Sequence, residues 1–88
     1  MNFERGQIVE IEWVDSCGNA GWQSEKDILA WSGGDTKNTH HTIGYFVTSN
    51  DKVVVVVQSY VDYEYGRSVD NAMSIPLVAV LRVGCLLQ

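Results

Sequence analysis

Basic charge, proline and cysteine are all scarce in this chain. Six Lys and Arg stand against eleven Asp and Glu in 88 residues, a formal net charge of −5. Such a balance repels a phosphate backbone and supplies no basic stripe for DNA or RNA to follow, which argues against long nucleic acid as a partner. No apolar run approaches the roughly 20 residues that span a bilayer, and Met1-Asn2-Phe3-Glu4-Arg5 has neither the basic nor the apolar segment of a signal peptide. A cytoplasmic protein with no membrane partner is expected. Cys17 and Cys85 fall in no Cys-x-x-Cys or Cys/His spacing, so they read as free thiols and not as a bridge or a zinc site. The single proline, Pro76, is the one place where a fixed φ and a missing N–H interrupt strand pairing.

What is present is apolar and β-branched. An apolar fraction of 45%, including three Trp and four Tyr, is that of a folded chain, and a chain this short sustains one core, so residues 1–88 form a single domain. Val9, Ile11 and Trp13 alternate with Glu10 and Glu12, predicting a half-buried strand from about Gln7 to Asp15. Small residues 16–21 break it. Ser24-Glu25-Lys26-Asp27 reads as an N-cap with an acidic first turn, opening a two-turn helix that needs Ile28 and Trp31 to pack. Residues 32–40 are polar and glycine-bearing, a candidate lid. A second strand is predicted from His41 to Ser49, then a tight turn at Asn50-Asp51, then Lys52 to Tyr60, whose five valines make it apolar on both faces and therefore central. Alternation runs on through Val61, Tyr63 and Tyr65 to a turn at Gly66-Arg67. A fourth strand at about Ala72 to Ile75 ends at Pro76, and after one helix-like turn a last strand runs from about Val78 to Leu87. Five strands with a short helix after the first, and a turn before the last, have the order of a small SH3-like barrel. An OB-like barrel or an open antiparallel sheet is the alternative.

The residues with chemistry to offer gather around the end of the first strand. Trp13 and Trp22 provide flat apolar faces with one N–H each, while Asp15 and Ser16 can select hydroxyls or base edges, a combination suited to a small polar ring compound. Packing by Trp13 and turn-capping by Asp15 and Ser16 would account for the same residues. Ser59 and Arg67 extend the ligand-binding set, Arg67 because a guanidinium grips phosphate or carboxylate. Arg82 is expected to point outward and pair with an acid. His41 completes the set, although His40 and His41, adjacent on a strand, point to opposite faces and cannot chelate one metal together. Ser16 has no nucleophile-elbow context. No enzymatic activity, cofactor or metal is expected. The tyrosines at 60, 63 and 65, interleaved with Asp62 and Glu64, form a band that protein interfaces favour, and homo-oligomerisation is expected from it.

The motifs I-E-W-V-D-S at Ile11 to Ser16, G-W at Gly21-Trp22, T-I-G-Y at Thr42 to Tyr45, Q-S at Gln58-Ser59 and S-I-P at Ser74 to Pro76 resemble a family of small, mostly uncharacterised proteins of tailed phages and prophages. The likeness covers most of the chain. It implies a phage accessory role in the cytoplasm of the infected cell and no established activity. The function expected is non-enzymatic binding, with a small signalling nucleotide sequestered against host defence. The alternative is a protein-interaction module that binds and inhibits or adapts a host protein.

Overall fold

The computed structural model describes residues 1–15, 21–30 and 39–86. Along the chain it forms strand β1 (Ile8–Val14), helix α1 (Glu25–Ala30), strands β2 (Thr39–Ser49), β3 (Val53–Tyr63) and β4 (Gly66–Pro76), a 3-10 turn over Leu77–Ala79, and strand β5 (Val80–Cys85). The strands make one antiparallel sheet in the order β4-β3-β2-β1-β5. The expected order is present, as is the turn between the last two strands. No ladder joins the end strands β4 and β5 among the described residues.

The alternation in β1 does what its period dictates. Val9 and Ile11 are fully buried, and Trp13 packs partly buried against the same cluster, which also takes Phe46, Val54, Val56 and Ile75. A flat single sheet leaves its side chains open to water on each face, so the complete burial of residues from β1, β3 and β4 requires this sheet to curl over its own inner surface. The curl is made in β2. Residues Thr39 to Tyr45 pair with β1, and Tyr45 to Ser49 pair with β3. One strand thus serves two half-sheets, with buried Gly44 at the handover. A register shift between Phe46 and Thr48 and another in β1 between Glu12 and Trp13 sharpen the local bend, as bulges do.

β3 is the central strand that its valines predicted. Val54, Val56 and Val57 are buried, and β2 and β4 flank it. The turn before it is built by Asn50, whose side-chain oxygen accepts the backbone N–H groups of Lys52 (2.8 Å) and Val53 (2.9 Å), the local bonding that makes Asn a turn residue. Pro76 ends β4, and the amide of Leu77 then donates to the carbonyl of Lys52 at 2.8 Å.

Three expectations need correction. β4 begins at Gly66 and not near Ala72, because the chain reverses through Glu64 and Tyr65 alone and Arg67 to Asp70 continue the ladder opposite Asp62 to Ser59. The last strand is Val80–Cys85, shorter than residues 78–87, since the 3-10 turn takes up Leu77–Ala79. The helix is capped as expected, with the Ser24 hydroxyl accepting the Asp27 N–H at 3.1 Å, yet it buries no residue. Ile28 therefore does not anchor it, and Trp31 lies outside the described residues. Among the described residues no helix is long and apolar enough to cross a membrane.

Beyond the handover, β3 and β4 continue without β2. From Gln58 to Tyr63 and from Gly66 to Ala72 they pair only with each other among the described residues. This two-stranded ribbon is exposed throughout. Asn71, at its base, takes a positive φ of 54°, a conformation that asparagine tolerates better than other side chains and that kinks the strand.

Candidate functional site

At the far end of β1, the cross-strand register sets Trp13 opposite His40 and Ile11 opposite Thr42. The indole stacks on the imidazole at 4.9 Å between centroids, and its N–H donates to Thr42 Oγ1 at 2.9 Å. Asp15 lies 3.9 Å from His40 Nε2. The Trp13 N–H is thus already satisfied and one ring face is covered, which makes Trp13 a packing residue first. Trp22 is wholly exposed, at 103% of its reference area. Ser16 and the greater part of the candidate lid at 32–40 lie outside the described residues.

His41 is on the opposite face, as adjacent strand positions dictate. Its Nδ1 sits 3.3 Å from Glu10 and 3.8 Å from Glu12. These three groups have the composition of a cation site, but Arg82 occupies the charge position, with Nη2 3.0 Å from Glu12 and 3.5 Å from Glu10. Arg82 thereby takes the outward, acid-paired position expected of it. Its hydrogen bond to Glu12 holds that carboxyl below the usual glutamate value, against the opposing effect of burial and with lesser help from the charges of Arg82 and His41, and Arg82 itself is raised by the same bond. The cluster is a salt-bridge network across β2, β1 and β5, and we assign no metal to it.

Arg67 and Ser59 belong to a second place, the ribbon, with Arg67 one rung from its tip and Ser59 nearer its base. The Arg67 guanidinium lies 4.1 Å above the Tyr60 ring and donates Nε–H to Asp62 at 2.7 Å. Tyr60 in turn meets Tyr45 edge-on at 4.9 Å. A Cβ added at Gly6 would lie 3.5 Å from Arg67 Nη1 and 3.8 Å from the Tyr60 hydroxyl, so the segment before β1 closes over these side chains. Arg5 enters there, and with Asp62, Tyr63, Gly66 and Arg67 it lines an open cleft. Ser59 lines a neighbouring hollow with Tyr60, Val61 and Asp70. Arg5 has no ion-pair partner among the described residues.

Arg5, Arg67, Tyr63 and Asp62 thus line one cleft of an acidic protein, and the same two arginines border the small hollow of Tyr45 and Tyr60 beside it. A cation above a tyrosine face is held by the ring quadrupole, which fixes the guanidinium plane while its terminal N–H donors stay available to an anion. The candidate residues do not all meet. Gly6, beside Arg67, and Trp13 are seven strand residues apart, roughly 20 Å at strand rise, so a single chain holds two separate places. Sequence reasoning missed Arg5 of the cleft and Tyr45 of the hollow beside it. The available signal was that Arg5 is one of only six basic residues and precedes the first strand directly.

A scan against protein-family models finds no match, and neither do comparisons with curated proteins and with solved structures.

Proposed function

We propose that this chain is a non-enzymatic phage accessory protein that sequesters a small signalling nucleotide, with the cleft toward the tip of the β3–β4 ribbon as its binding site. The convergence of Arg5 and Arg67 with Tyr60 and Tyr63 carries this reading. Guanidiniums grip phosphate in a bidentate fashion, a tyrosine ring offers a stacking face to a base, and Asp62 offers a partner for hydroxyls. A net charge of −5 disfavours polymeric nucleic acid while two local cations admit a discrete anion. The resemblance to phage proteins supports a role against host defence.

Calorimetry with a panel of cyclic dinucleotides and ADP-ribose-derived nucleotides tests it. Saturable binding is expected, weakened about 10-fold or more by Arg5→Ala or Arg67→Ala, since each removes a charge-assisted contact of about 1.5–3 kcal/mol. Loss in Trp22→Ala with binding kept in both arginine variants would move the site to the loop after β1. No binding across the panel refutes the proposal.

A second reading, a module that docks on a host protein, draws on Tyr65, 94% exposed at the ribbon tip, since exposed aromatics anchor interfaces. A stoichiometric host protein retained without any small molecule would favour it.

A further inference from the structure

The chain exposes 6600 Å², whereas a compact monomer of its size exposes about 5,200 Å². The excess, about 1,400 Å², exceeds the roughly 800 Å² that one partner contributes to a standard interface. The radius of gyration agrees, at 16.9 Å against about 12 Å for a compact chain of this length. Within the described residues, two segments are exposed throughout, residues 21–30 and the β3–β4 ribbon. An isolated two-stranded hairpin is marginal in water, yet this one carries Val61 and Val69 with 47% and 48% of their areas exposed and Met73 at its base with 43%. The outer edge of β4, eleven residues long, has no ladder partner among the described residues. Its charges are Arg67 and Asp70, the first of which is already tied to Asp62, and its proline stands at its last position. Such an edge is a template for strand pairing.

We propose that the ribbon docks on the ribbon of a second copy of this chain, β4 pairing with β4 in antiparallel fashion about a two-fold axis. A strand edge is complementary to itself when reversed, so one surface serves both partners and no second patch is required. The pairing continues the sheet across the axis, brings Val69 and Met73 of the two copies onto a shared face, and removes the open edge. Two copies of charge −5 repel, so association strengthens as salt rises.

Sedimentation of the native chain tests the proposal, with a mass twice that of one chain as the expected result. Val69→Asp is expected to give the monomer. Because exposed substitutions can still disturb a marginal hairpin, amide hydrogen exchange on the unmodified protein gives an independent answer. Protection across residues 66–72 should rise with protein concentration. A monomer at every concentration overturns the proposal, and so does an oligomer in which those amides stay unprotected.

Discussion

Gly44 sits where β2 leaves β1 for β3, and substituting it tests the account of how the sheet curls. A Cβ at this position would lie 2.9 Å from the carbonyl oxygen of Val57 and 3.2 Å from the Cβ of Val56. Both belong to the central strand, and the first is backbone, pinned by the Tyr45–Val57 rung. Two effects of opposite sign compete in Gly44→Ala. Alanine lowers the entropy of the unfolded chain, which stabilises by about 0.4–1 kcal/mol where the native backbone accepts it. Overpacking a fixed neighbour costs about 1–3 kcal/mol. The clash with backbone wins here, because the strand cannot retreat without breaking its ladder, and the net loss is about 1–2 kcal/mol. For a domain of this size that lowers Tm by roughly 4–16 °C. Thermal unfolding followed by circular dichroism reads the change directly. An unchanged or raised Tm would refute the reasoning, since it would mean that the two half-sheets do not approach closely at Gly44.

Arg82→Gln removes the bond that holds Glu12 below its ordinary value of 4.5. A lowered carboxyl contributes stability above its unfolded value and loses it as pH falls through the folded one. The wild type should therefore exceed the variant in urea midpoint at pH 7, with the gap closing toward about pH 3; a gap that persists in acid would point to packing instead. Asn50→Ala deletes the acceptor of two backbone N–H groups in the β2–β3 turn and should cost about 1–2 kcal/mol, while Asn50→Asp, which keeps the acceptor, should unfold close to wild type in the same thermal scan.

The elements carried by local pattern were legible in the sequence. Alternation in Ile8–Val14 chose the right residues for the core, the valine run named the central strand, Asn50 marked a turn, and Pro76 marked the end of β4. What stayed hidden depends on strand register, which local residue pattern does not carry. The ribbon continues past Ile75 toward Gly66 because Arg67 to Asp70 find partners in β3, and polar residues such as Ser68, Asp70 and Asn71 gave no strand pattern to read. The cleft was hidden for the same reason. Arg67 could be singled out as a guanidinium near a turn, but its place beside Tyr60 and Gly6 follows from the curl of β2. The surface helix failed its packing expectation because its cap and acidic first turn are local signals, sufficient to start a helix and silent about what covers it.

The pairing of β1 with β5 makes the order of synthesis matter. β3 and β4 are joined by two residues and can pair as soon as both have left the ribosome, whereas β1, made first, must wait for the last strand. The bonds from Arg82 to Glu10 and Glu12 span 72 and 70 residues, and contacts of such separation close late because their loop entropy is met only after nearer contacts have formed. Until then Val9 and Ile11 belong to a strand with one bare edge, on an intermediate open to misassociation. A stop codon before Val80 would leave that edge bare for good, so loss of the last strand should convert a folding protein into an aggregating one.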